Sequence, residues 1–151
     1  MSKEFTIENE YLKVTVTTWG AQIKSVIRKC DHVEHMWQAD ESVWGYHAPI
    51  MFPHAGRVVD GKIEAKGGIY ESGQHGFARD MEFELVSSSE TEARYRLVST
   101  EQTKSRYPYD FVLEIAYRLH DNKLDVIWEV TNPSDNEMYF QIGAHPAFNY
   151  P

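Results

Sequence analysis

Residues 111–119 read Phe-Val-Leu-Glu-Ile-Ala-Tyr-Arg-Leu, break at His120-Asp121-Asn122, and resume as Lys-Leu-Asp-Val-Ile-Trp-Glu-Val over 123–130. Successive side chains of a strand point to opposite faces, so this near-alternation offers each strand one face for burial, and the polar break predicts a hairpin. The same pattern recurs along the chain. Residues 5–7 and 11–17 are joined by Glu8-Asn9-Glu10, and Leu12, Val14 and Val16 share one face. Trp19-Gly20 marks a turn, residues 23–27 read as the next strand, and residues 33–37 as a short one. Residues 82–86 and 93–98 flank the polar run Ser87-Ser88-Ser89-Glu90-Thr91, a second hairpin signal. After a turn at residues 132–136, residues 138–142 read as the last strand. Residues 38–43 support a helical turn at most, and no sustained helical period or repeat is present. Repeated short strands at this spacing predict an all-β fold, an antiparallel sandwich or barrel.

The meander is interrupted by residues 44–80, which hold Gly45, Pro49, Pro53, Gly56, Gly61, Gly67, Gly68, Gly73 and Gly76. Long Gly-rich loops on a β scaffold are where binding and catalytic groups concentrate. With 151 residues the chain suffices for one domain. Such a length buries roughly 70% of the surface its unfolded form exposes. A net charge of −8 argues against a nucleic-acid partner, which needs clustered Lys and Arg, and against anionic membranes. A neutral ligand is not opposed. Cys30 is the sole cysteine, so no intrachain disulfide forms. The N-terminal residues lack the apolar run of a signal peptide, and no stretch reaches the ~20 apolar residues of a membrane span. The cytoplasm is the expected location. Nine Tyr, seven Phe and four Trp suit a carbohydrate cleft, whose rings pack on sugar C–H faces, and equally suit the core of a β-sheet.

Three residues stand out chemically. His145 precedes Pro146, which biases it to extended backbone, and a histidine at a strand end can serve as general acid or base near neutral pH. His75 precedes Gly76, which permits close approach of a ligand to the backbone. Arg57 follows Gly56 and could donate several hydrogen bonds to hydroxyls. The plainer alternatives are a core or exposed histidine, a turn histidine and a surface ion pair. His32 and His35 have strand spacing that places them on opposite faces, with no carboxylate or thiolate cluster to complete a metal site. His54, close to Arg57, could line the same cleft, and Glu71, Asp80 and Glu82 are the nearest carboxylates in sequence.

Four segments, in order, carry a resemblance: Gly20-Ala21-Gln22-Ile23-Lys24-Ser25-Val26, Pro49-Ile50-Met51-Phe52-Pro53 leading to Gly56-Arg57, Gln74-His75-Gly76-Phe77-Ala78-Arg79-Asp80, and His145-Pro146-Ala147-Phe148-Asn149. Together they resemble the N-terminal half of the aldose 1-epimerase (galactose mutarotase-like) family, in its less characterised bacterial branch. The resemblance implies the family's large β-sandwich with an open sugar cleft, and interconversion of the α and β anomers of an aldohexose without cofactor or metal. It implies that His145 protonates the ring oxygen, that His75 hydrogen-bonds the same region of the sugar, and that Arg57, with Phe148 and Asn149, binds the substrate. The family's general base is a glutamate of the C-terminal half, expected here beyond Pro151. Residues 1–151 are therefore expected to form the N-terminal portion of one sandwich domain, impaired in turnover, with unpaired strand edges that invite a homodimer. A non-catalytic carbohydrate-binding domain that retains the cleft is the alternative expectation.

Overall fold

Leu12, Val14 and Val16 of the second strand are buried while Lys13 between them is exposed, which is the alternation expected of a sheet with one face on a core. The computed structural model describes residues 2–150. In it, β1 (Glu4–Glu8), β2 (Leu12–Thr17), β3 (Ile23–Arg28) and β4 (Val33–Glu34) form one antiparallel sheet in chain order. A second four-stranded sheet is built from β8 (Glu84–Ser88), β9 (Glu92–Val98), β10 (Val112–His120) and β11 (Lys123–Thr131), in the order β11-β10-β9-β8. Between them in the chain lie β5 (Ile50–Met51) and the hairpin β6 (Lys62–Ala65) and β7 (Gly68–Glu71). Near the end, β12 (Gly143–Ala144) pairs with β5. Among the described residues no helix is long and apolar enough to cross a membrane.

The inner faces of the two large sheets share one core. Ile7, Val14 and Val16 of the first and Tyr95, Leu113, Ile115 and Tyr117 of the second are essentially inaccessible to solvent. The register places Tyr95 beside Ile115 and Leu97 beside Leu113, so the buried faces coincide. A direct tie joins the two layers: the Tyr117 hydroxyl, on β10, donates to the Ala21 carbonyl in the turn between β2 and β3 at 2.5 Å. The outer face of the second sheet is charged. Arg94 pairs with Glu114 (3.0 Å) and Glu129, Arg96 with Glu114 (2.6 Å), and Arg118 with Glu92 (2.8 Å). These partly exposed pairs set cross-strand register more than they stabilise.

Three expectations require correction. Residues 138–142 do not form a strand. Their backbone is engaged elsewhere, with the Tyr139 carbonyl accepting from the Tyr107 hydroxyl (2.8 Å) and the Gln141 N–H donating to Pro53 (2.8 Å). Residues 33–37 are a strand only at Val33–Glu34, because the Glu34 carboxylate turns back to accept the N–H groups of Val26 and Met36 (both 2.9 Å). The segment 44–80 is not wholly loop. It contains the β6–β7 hairpin, closed by Lys66 and Gly67 at φ 47° and 74°, the positive pair that a tight two-residue hairpin turn requires. One helical turn, α1 (Glu101–Lys104), is held by reciprocal bonds between Thr100 and Thr103.

Candidate active site

The His75 loop is shaped by two consecutive left-handed residues, His75 (φ 67°) and Gly76 (φ 74°). That conformation turns the following N–H groups of Phe77 and Ala78 onto the Phe52 carbonyl, at 2.9 and 3.2 Å. Gly76 lies so close to Phe52 that no side chain fits there. A left-handed conformation costs a residue with a Cβ roughly 1–2 kcal/mol. His75 is held in it by reciprocal bonding: its N–H donates to the Gly56 carbonyl (2.8 Å), and the Gly56 N–H donates to its Nδ1 (2.9 Å). Because Nδ1 accepts, the ring proton of the neutral imidazole resides on Nε2, so the Gln74 amide nitrogen 3.2 Å away is a close neighbour and not a hydrogen-bond partner in that tautomer. Burial first, then the positive charge of Arg79 and the neighbouring histidines His145 and His54, holds the His75 pKa below the usual imidazole range.

His145 reaches the same place from the other end of the chain. Residues 141–147 run antiparallel to the segment 47–53, with His145 N–H donating to Pro49 (3.0 Å) and Ala147 N–H to His47 (2.9 Å). Alternation along this extended stretch sends Ala144, Pro146 and Phe148 to one side, where they line a groove of about 1080 Å³ that also includes Leu124, Val126 and Trp128 of β11. His145 lies outside that groove, exposed, with its ring 6.3 Å from that of His75 and 4.9 Å from that of Trp44. The two histidines, 70 positions apart (145 − 75), are therefore neighbours.

The remaining expected residues divide. Arg57 is exposed, one residue beyond the Gly56 that brackets His75, and has no hydrogen bond or ion pair among the described residues. Phe148 is two-thirds exposed and lines the groove, bridging Met36 rather than facing the histidine pair. Asn149 is occupied: its side-chain amide donates to the carbonyls of Glu34 (3.0 Å) and Met36 (2.8 Å), anchoring the segment that carries His145. His54 is buried against Ser72 (Nε2 to Oγ, 2.6 Å), and burial lowers its pKa. Of the nearby carboxylates, Asp80 accepts from the Tyr46 hydroxyl (2.8 Å) and Glu82 from the Thr18 hydroxyl, while Glu71 lies on β7 opposite Lys62. Burial and then the bond to Asp80 raise the Tyr46 pKa. No cluster of three metal-ligating side chains occurs among the described residues.

Sequence reading passed over Trp44, Tyr46 and Arg79. Trp44 and Tyr46 rings stand 5.8 Å apart, and the Arg79 guanidinium lies 4.8 Å over the Tyr46 ring, mostly buried. Two aromatics alternating just before Pro49 were the available signal.

His145 thus brings its imidazole beside that of His75 and beside the Trp44 indole, a paired-histidine and aromatic cluster carried by loops of an antiparallel β fold. The aldose 1-epimerase family model matches residues 3–151, and the chain belongs to that family. It is 33% identical over 156 aligned residues to the plasmid-encoded protein LacX of Lactococcus lactis subsp. lactis, covering 96% of this chain and 50% of LacX. The chromosomal LacX matches equally. A galactose mutarotase related enzyme from Lactobacillus acidophilus superposes with a TM-score of 0.97 at 40% identity, over 99% of this chain and 50% of its own. A galactose mutarotase-like protein from Lactobacillus casei gives 0.95 at 34% identity, over 99% and 51%. The chain thus spans about half the length of the curated relatives it matches.

Proposed function

We propose that the site formed by His75, His145 and Arg57 is the acid side of a mutarotase centre that interconverts the α and β anomers of an aldohexose. The observation that carries this reading is the approach of His145 to His75, at 6.3 Å between rings, on a neighbouring loop whose imidazole tautomer is fixed by Gly56. A hexose seated against the two rings receives a hydrogen bond from His75 Nε2–H at or near its ring oxygen. His145 delivers a proton to that oxygen as the C1–O5 bond breaks, and Arg57 binds hydroxyls from the open side. After rotation about C1–C2, O5 re-adds to C1 and returns its proton to His145 while the aldehyde oxygen takes back the proton that a base removed from the C1 hydroxyl on opening, which yields the other anomer with no atom gained or lost.

Removal of the C1 hydroxyl proton needs a base. The family resemblance assigns that step to a glutamate without a counterpart in these residues, and Asp80 and Glu82 each have one oxygen engaged by a hydroxyl donor. A positioned acid or base contributes ~10²–10⁴ in rate, so turnover by residues 1–151 alone is expected to fall short of a complete enzyme by that factor. The same engagement of the carboxylates favours a second reading, a sugar-binding domain that turns nothing over.

Anomer-exchange NMR of glucose and galactose, with the chain and its His145→Ala variant, separates the two. Accelerated exchange lost in the variant supports the mutarotase reading. Sugar binding with no acceleration supports the binding domain. Neither exchange nor binding refutes both.

A further inference from the structure

Trp44 has no assigned role, yet it stands against the ring of His145 at 4.9 Å with a 50° tilt between the planes. It is only partly buried. Its position is fixed from several sides. The Trp44 N–H donates to the Asp40 carbonyl (2.7 Å), and its own carbonyl accepts the Trp37 indole N–H (2.9 Å). The Tyr46 ring lies 5.8 Å away and is itself braced, by the hydroxyl bond to Asp80 and by the Arg79 guanidinium over its face. Among the described residues the Trp44 indole N–H has no hydrogen-bond partner. A large, rigid, half-open ring with a free donor at its edge, touching the proposed acid, is well placed to meet ligand.

We infer that Trp44 is the substrate-positioning platform of this site, stacking on the apolar C–H face of a pyranose and donating its indole N–H to a ring hydroxyl. The inference rests on the sugar-handling reading above and adds to it a specific residue and contact mode. A pyranose carries C–H bonds on the faces of its ring, which the negative face of an aromatic ring attracts, while most of its hydroxyls radiate around the rim. Contact with Trp44 would set that face, and so place the ring oxygen in reach of His145 rather than leave the sugar free to tumble in an open cleft. Fixing orientation is a main source of catalytic advantage in a small-substrate site.

The test uses the whole chain, with glucose and galactose as probes. Sugar is titrated while tryptophan emission and saturation-transfer NMR are recorded, for wild type, Trp44→Phe, Trp44→Ala and His145→Ala. Circular dichroism confirms that each variant is folded. We expect a sugar-dependent emission change in the wild type that persists in His145→Ala and vanishes in Trp44→Phe, since Trp19, Trp37 and Trp128 remain in that variant as silent reporters. Trp44→Ala should weaken binding roughly three- to tenfold, the worth of one aromatic contact. Saturation-transfer signal from a wild type whose emission change survives Trp44→Phe, or unaltered affinity in Trp44→Ala, overturns the platform and leaves the functional reading standing. A wild type that binds neither sugar overturns both.

Discussion

Gly76→Ala probes whether the placement of His75 depends on one missing side chain. Gly76 sits at φ 74°, and a Cβ there would be driven into the Phe52 carbonyl, 2.5 Å from its carbon and 2.7 Å from Pro53 Cδ. The left-handed conformation costs alanine about 1–2 kcal/mol. Overpacking against backbone, which cannot rotate away, adds about 1–3 kcal/mol. The sum, about 2–5 kcal/mol, is a large part of the ~5–15 kcal/mol that holds a domain together. Gly67 supplies the control: it has the same φ of 74°, but a Cβ there meets nothing within 4 Å, so Gly67→Ala carries the conformational cost alone. Urea denaturation measures both. With a slope of ~2 kcal/mol per molar, Gly76→Ala should lower the midpoint by roughly 1–2.5 M and Gly67→Ala by about 0.5–1 M. The variant should also disturb the His75 ring resonances, because the loop cannot shift without breaking the bonds to Gly56. Equal midpoints for the two variants, with His75 unmoved, would refute the argument that this contact shapes the site.

Two further outcomes are expected. His75 and His54 both have pKa values lowered by burial, so near their unfolded value of ~6.5 the folded protein binds fewer protons than the unfolded chain. Their stabilisation is present above that pH and lost as pH falls through the folded values; the urea midpoint should drop from pH 7.5 to 5.5, less steeply in His75→Asn, and a flat profile would contradict the burial argument. Two buried tyrosines should respond oppositely to loss of the hydroxyl: Tyr117→Phe orphans the Ala21 carbonyl and costs about 1–3 kcal/mol, whereas Tyr95 has a buried hydroxyl with no partner, and Tyr95→Phe should be neutral or stabilising in the same melts.

How much was legible in the sequence follows from how local each signal is. The hairpin of residues 111–119 and 123–130 appears as Val112–His120 and Lys123–Thr131, since its alternation and its turn are both encoded within a few positions. The β6–β7 hairpin was hidden because its turn uses Lys66-Gly67 rather than the Asn-Gly or Asp-Gly that advertises two positive φ values. Residues 138–142 misled for the converse reason. Met138, Phe140 and Ile142 alternate, but alternation states only what can be buried, and the backbone partners were decided by Tyr107 and Pro53.

The candidate site shows the same division. Motif order located His75 and His145 on separate segments, yet no periodicity reports that their rings stand 6.3 Å apart; that distance is set by β12 pairing with β5 and by Phe52 holding the His75 loop. The motif makes Asn149 an expected substrate contact, and in the structure its amide nitrogen also donates to the carbonyls of Glu34 and Met36. Truncating it would therefore act on His145 indirectly, by freeing the extended segment on which that histidine rides. A side chain whose polar atoms are already paired within the fold can position chemistry but has little left with which to bind. By that criterion Arg57 and the Trp44 indole N–H, which have no hydrogen-bond partner among the described residues, keep polar atoms free, and under the function proposed above they are the groups left to meet a sugar beside the histidine pair.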